Sequence, residues 1–151
     1  MLKPILLVED NPHDLELTLI ALSKSQLANE VVIARDGAEA LDYLHRRGEF
    51  QDRPHGSPAV VLLDLKLPKV DGLEVLKEIR TTAHLRSQPV VMLTSSKEEQ
   101  DLVRSYELGV NAYVVKPVDF GEFLRAIADL GIFWAVLNEP PPGSSRYVKP
   151  K

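Results

Sequence analysis

Apolar residues along this chain fall into two patterns that take turns. Five short runs are nearly unbroken: Lys3–Val8 (KPILLV), Glu30–Ala34 (EVVIA), Val60–Leu63 (VVLL), Pro89–Thr94 (PVVMLT) and Ala112–Val115 (AYVV). Apolar runs without polar gaps read as strands buried on both faces, which occur mostly in parallel sheets covered by helices. Between the runs, apolar residues recur every three or four positions, as on one face of a helix. Leu15, Leu19 and Leu22 form one such set; Ala40, Leu41 and Leu44 a second; Leu73, Leu76 and Ile79 a third. The last and longest set runs from Phe120 to about Leu137.

Polar punctuation sharpens the helix starts. Asn11 suits an N-cap, Pro12 the first helical position and Asp14 the positive end of the helix dipole. Four capping boxes follow: Asp36–Glu39, Asp71–Glu74, Ser96–Glu99 and Asp119–Glu122. Gly109 is placed to end the fourth helix in the left-handed conformation. Five strands alternating with five helices predict an α/β doubly wound fold with a mostly parallel sheet. Residues 1–137 form one domain in this reading. Residues 138–151, with Pro140-Pro141-Pro142-Gly143, form an extended tail. The stretch Glu49–Ser57 is expected to be an extended loop.

Composition narrows the function classes. The 151 residues are 44% hydrophobic and 26% charged, ordinary for a soluble domain. A net charge of −4 with both signs interspersed argues against a nucleic-acid footprint. No cysteine is present, which excludes disulfides and thiolate metal sites. No signal peptide or membrane span is evident, so a cytoplasmic protein is expected. His13, His45, His55 and His84 lack metal-ligand spacing and read as surface residues.

The chemistry sits at the strand ends. The first strand ends on Glu9-Asp10, the third on Asp64, the fourth on Thr94 and the fifth on Lys116. Ligands of open α/β sheets gather outside the carboxyl ends of the strands. A flavodoxin-like order 2-1-3-4-5 makes Asp64 central, with Glu9 and Asp10 on one side and Thr94 and Lys116 on the other. Taken alone, Asp64 is better explained by a loop-fixing role. A closed salt-bridge cluster around Lys116 is a second plain reading, but one lysine does not balance three acids. Three carboxylates in one pocket repel one another unless a cation compensates. Oxygen-only ligands suit Mg²⁺, or Mn²⁺. An aspartate beside such an ion points to an aspartyl phosphate, with Lys116 and the Thr94 hydroxyl available to the phosphoryl oxygens.

At these residues the chain resembles the receiver domain of two-component response regulators. The motifs are Val8-Glu9-Asp10-Asn11, Leu63-Asp64-Leu65-Lys66-Leu67-Pro68 with Asp71-Gly72, Leu93-Thr94-Ser95 and Lys116-Pro117. The resemblance spans about Leu2 to Leu137. It implies that Asp64 accepts the phosphoryl group and that the chain signals by protein contact. Asp10 would bind Mg²⁺ directly, Glu9 mainly through water, and the Lys66 backbone carbonyl would complete the protein ligands. Thr94 and Lys116 would contact the phosphoryl group. Tyr113 matches the family's aromatic switch position, although a strand tyrosine is as readily plain packing. The Lys116-Pro117 bond is cis in the family. The long 49–57 loop and the extended C-terminus resemble small regulators that partner phytochrome histidine kinases.

Two other readings stay open on the residues alone. One is a Mg²⁺-dependent phosphatase of haloacid-dehalogenase type, which uses similar Asp, Thr and Lys chemistry. Its Asp-x-Asp motif is replaced here by Glu9-Asp10-Asn11. The other is a degenerate receiver acting as an interaction module. Beyond its own phosphorylation and dephosphorylation, no enzyme activity is expected. On the last helix, Phe120, Phe123, Leu124, Ile127, Leu130 and Trp134 share one stripe. Ile132, Phe133 and Val136 fall off it and, with Tyr113, suggest a homodimer built on the fourth helix, fifth strand and fifth helix.

Overall fold

The computed structural model describes residues 3–24, 29–54, 56–95, 98–116, 119, 121, 122 and 125. Within them the chain alternates strand and helix: β1 (Ile5–Val8), α1 (Pro12–Lys24), β2 (Val31–Ala34), α2 (Gly37–His45), β3 (Val60–Leu63), α3 (Gly72–Thr81), β4 (Val90–Thr94), α4 (Glu99–Glu107) and β5 (Ala112–Val115). Every strand pairing is parallel, and the order is β2-β1-β3-β4-β5. Gly121, Glu122 and Arg125 are helical, behind an Asp119 that accepts the Glu122 N–H at 2.9 Å. The remainder of the expected fifth helix, with Ile132, Phe133 and Val136, lies outside the described residues, as does the 138–151 tail.

The gap-free strands fill both faces of the sheet. Ile5, Leu7, Val60, Leu62, Val91 and Leu93 pack with Leu15 and Leu22 of α1. Their neighbours Leu6, Val8, Val61, Leu63, Val90 and Met92 pack the other way, onto α2 and α3 through Ala40, Leu44, Val75, Leu76 and Ile79. Successive side chains on a strand point to opposite faces, so a run with no polar gap can only sit between two helical layers. Truncating one of these fully buried leucines, such as Leu62, costs about 2–5 kcal/mol.

Helix ends follow the polar punctuation closely. Asp36 accepts from Glu39 N at 2.7 Å while Glu39 Oε1 accepts from Arg35 N at 2.7 Å. Asp71 caps Glu74 N at 3.0 Å and Asn11 caps Asp14 N at 3.0 Å. At the end of α4, Gly109 has φ 91°. Its N–H reaches Tyr106 O and that of Val110 reaches Ser105 O, both at 3.0 Å, which closes the helix as a Schellman motif.

Three local expectations need correcting. Helix α4 does not start from Ser96: Glu98 holds the N-cap position without a side-chain cap, and its carbonyl takes the Leu102 N–H at 3.2 Å. A capping box eases a start without fixing where it falls. The loop expected over 49–57 is not wholly irregular. Gly48–Phe50 form a 3₁₀ turn, Phe50 meets Tyr43 edge to face with centroids 5.3 Å apart, and Arg53 lies over Tyr43. His45 is no idle surface residue either, because its Nε2 sits 2.7 Å from Glu78 Oε2.

Candidate functional site

The parallel register assembles the site. Val8 pairs with Leu63, so Glu9 and Asp64 leave the sheet at one level, with Asp10 a step beyond. Leu63 pairs with Met92 and Thr94 with Val115, which brings the end of β4 and then Lys116 to the same edge. The carboxyl groups of Glu9, Asp10 and Asp64 approach so closely that one oxygen from each lies within 4.8 Å of the others, a grouping able to hold a metal ion. Glu9 and Asp64 are buried and Asp10 is exposed. Thr94 is fully buried at its strand end.

Lys116 stands over this group. Its ammonium donates to Glu9 Oε1, to Asp64 Oδ2 at 3.0 Å and to Asp14 Oδ2 at 3.0 Å. The backbone helps hold the acids: Asn11 N donates to Glu9 Oε2 at 3.2 Å and Lys66 N to Asp64 Oδ1 at 3.4 Å. Burial pushes the Glu9 carboxyl up to about 7; Lys116 opposes that push and the charge of Asp64 adds to it. For Lys116, burial favours the neutral amine, but hydrogen bonds to Glu9, Asp64 and Asp14 and the Asp64 charge outweigh it. Its pKa therefore lies above that of an ordinary lysine.

The structure adds one acid to the set read from the sequence. Asp14 stands in the first turn of α1, the helix that starts just beyond the end of β1 at this same edge. In the sequence it is legible only as a helix-dipole partner. Four carboxylates thus face one ammonium. The Lys116 ion pairs are real, and they still leave the edge negative, so the closed salt-bridge reading accounts for only part of it. Such an all-oxygen donor set suits a hard divalent cation.

Other expected residues are placed as follows. Tyr113 is half-buried and packs against the α2–α3 side of the core. Lys66 is exposed next to Asp64. Pro117, and with it the Lys116-Pro117 bond, lies outside the described residues. No helix among the described residues is long and apolar enough to cross a membrane.

Comparison with known proteins agrees with this geometry. The response regulator receiver domain family matches residues 5–128. Response regulator Rcp1 of Synechocystis sp. (strain ATCC 27184 / PCC 6803 / Kazusa) is 42% identical over 132 residues, covering 87% of this chain and 88% of that protein. Among solved structures, the bacteriophytochrome response regulator RtBRR is 72% identical with a TM-score of 0.84, covering 97% of this chain and 88% of that one. The Mn(2+)-bound form of Rcp1 is 40% identical with a TM-score of 0.73, covering 92% and 99%. The phosphorylated cyanobacterial phytochrome response regulator RcpA is 42% identical with a TM-score of 0.74, covering 89% and 94%. Nothing supports the phosphatase alternative, whose Asp-x-Asp motif the first strand lacks. On sequence, strand order and strand-end chemistry together, the chain belongs to the response regulator receiver domain family.

Proposed function

We propose that this receiver domain takes a phosphoryl group onto Asp64 from the phosphohistidine of a sensor histidine kinase and passes the signal on by protein contact. The observation that carries the reading is the setting of Asp64. It lies at the central strand end, among Glu9, Asp10 and Asp14, with one oxygen on Lys116 and the other on Lys66 N. In the transfer a carboxylate oxygen of Asp64 forms the new P–O bond, the P–N bond breaks, and its electron pair returns to the imidazole. Lys116 would supply positive charge to the incoming phosphoryl oxygens, and the Thr94 hydroxyl would give a hydrogen bond to one of them.

Glu9, Asp10 and Asp64, with the Lys66 backbone carbonyl, would hold Mg²⁺ or Mn²⁺; the donor chemistry supports this, and so does the Mn(2+)-bound Rcp1 structure. The bound ion supplies charge that offsets the crowded carboxylates and the phosphoryl oxygens. No separate substrate is turned over; the chemistry is confined to Asp64.

A phytochrome-type kinase is the partner favoured by the likeness to RtBRR and RcpA. Tyr113 is the switch: movement of the Thr94 hydroxyl toward the phosphoryl group makes room for the ring, so a local charge change biases a bistable element. The signal leaves through a homodimer on α4, β5 and the fifth helix. Leu102, Val103 and Tyr106 of α4 support this reading, since all three are exposed. The test is incubation with acetyl phosphate and Mg²⁺ followed by intact mass. The wild type gains one alkali-labile phosphoryl group, and Asp64→Asn gains none. Unchanged labelling of Asp64→Asn, or full labelling in excess chelator, overturns the reading.

A further inference from the structure

Six residues separate the phosphoacceptor from the cap of α3, and their path depends on a glycine in another part of the chain. The loop Leu65–Val70 leaves the sheet directly after Asp64. At its base Gly72 N donates to Leu65 O at 2.8 Å. A Cβ on Gly72 would lie 2.2 Å from the Asp64 carbonyl oxygen, so that glycine is needed where the loop closes. At its outer end the loop turns sharply. Val70 N donates to Pro68 O at 2.8 Å, and Lys69 adopts φ 69°, a left-handed conformation uncommon for a residue with a side chain.

This outer turn presses on the start of α2. Gly37 N, a helix-start donor without an intrahelical partner, donates to Pro68 O at 3.4 Å. A Cβ on Gly37 would stand 1.8 Å from Val70 O and 2.7 Å from Val70 C. Both are backbone atoms, so no side-chain rotation could relieve the clash. Beside it, Asp36 caps Glu39 N with one oxygen and meets Lys69 Nζ with the other at 3.5 Å. The α2 start therefore acts as a backbone rest for the far end of the loop.

We propose that Gly37 is a positioning residue for the phosphoacceptor: its missing side chain seats the Leu65–Val70 loop at the depth that aims Asp64 and the Lys66 backbone. The inference rests on the proposed function of Asp64 and adds a residue that touches neither phosphoryl group nor metal. A Cβ at Gly37 forces the loop outward by about an ångström or more, and misplacements of that size cost up to about a hundredfold in rate. The loop is rooted in Asp64 at one end and at Gly72 at the other, so a displacement of its outer turn is passed to both anchors.

The experiment compares initial rates of acetyl phosphate labelling by intact mass, together with Mg²⁺ binding, in the full chain. Gly37→Ala should label at least tenfold more slowly and bind Mg²⁺ more weakly. Leu85→Ala, a destabilised core control in the same apolar cluster but far from the loop, should label at the wild-type rate. Because Gly37→Ala could fail to fold, the exposed turn is tested from its other side. Lys69→Val, which resists the left-handed conformation, should slow labelling, whereas Lys69→Gly, which adopts it freely, should match the wild type. Folded Gly37→Ala with wild-type labelling, or Lys69→Val and Lys69→Gly labelling alike, overturns the proposal. A wild type that takes no phosphoryl group removes the proposed function itself, a result distinct from either.

Discussion

The two edges of this sheet are built from opposite electrostatics. At the amino edge, two arginines end on neutral oxygens. Arg80 donates to Gly109 O at 2.8 Å, Gln88 O at 2.7 Å, Arg86 O at 3.2 Å and Asn111 Oδ1 at 2.8 Å. It thereby ties the ends of α3 and α4 to the starts of β4 and β5. Arg53 does the same for the loop before β3, donating to Tyr43 O at 2.7 Å, Pro54 O at 3.0 Å and Gly56 O at 2.8 Å. At the carboxyl edge, Lys116 is bonded to three acids, Glu9, Asp14 and Asp64, and a fourth, Asp10, crowds against Glu9 and Asp64 with no bond to the lysine. A cation wrapped in carbonyl oxygens is a finished arrangement that stiffens loops. Crowded like charges are unfinished, and they make a site that gains from taking up a cation. One fold thus keeps its scaffold and its chemistry at opposite ends of the same strands.

That contrast breaks most visibly at Arg80. Arg80→Met leaves several carbonyls without their charged donor, and about 3 kcal/mol of stability should be lost. Denaturant unfolding measures the loss, and Mg²⁺ affinity should stay at the wild-type value because the far edge is untouched. An equal loss of Mg²⁺ affinity would mean that the two edges are not separate. The pH dependence comes next. The folded-state pKa of Glu9 is raised from 4.5 to about 7, so the folded chain holds the extra proton in that window. This contribution to metal-free stability is present below 4.5 and declines as pH rises through about 7. With Glu9 helping to hold Mg²⁺ as proposed, the ion displaces the same proton, so its affinity should fall as pH drops below about 7. Calorimetric titration in buffers of different ionisation enthalpy reads both. A pH-independent affinity between 5 and 8 (roughly the window in which such a group titrates) would contradict the assignment.

Smaller effects separate the edges by sign. Arg53→Met should cost about 1 kcal/mol, the scale of a partly exposed clamp with a cation–π contact. Asp10→Ala, in contrast, should stabilise the metal-free chain by about 0.5 kcal/mol, because it removes a repelling charge at an exposed position. Thermal unfolding in chelator tests both. A stabilising Arg53→Met or a clearly destabilising Asp10→Ala would erase the distinction.

The carboxyl edge was far more legible in the sequence than the amino edge, for a physical reason. Each buried parallel strand is a gap-free apolar run, so the residue that ends it is marked by position, and Asp64, Thr94 and Lys116 stand out at once. Caps such as Asp36 and Asp71 are equally local, fixed by a residue three positions on. Arg80 and Arg53 carry no such mark. Their partners are backbone oxygens, which every residue has, brought near by tertiary packing. Asp14 was hidden in a different way, since its helix-start position already explained it and its link to Lys116 spans 102 residues. The Gly37 contact with Val70 is likewise a meeting of two loops that no local pattern encodes.

The most direct test is the shift in melting temperature on adding Mg²⁺ to the wild type, Asp10→Ala and Arg80→Met side by side. A ligand at roughly 100 times its Kd stabilises by about 2.7 kcal/mol, several degrees for a chain of this size. The account predicts that shift in full for wild type and for Arg80→Met, whose own melting point is lower, and predicts that Asp10→Ala loses most of it. A wild type indifferent to Mg²⁺, or an Asp10→Ala variant that shifts as far as the wild type, would contradict the claim that the unfinished charge at the carboxyl edge is the functional site.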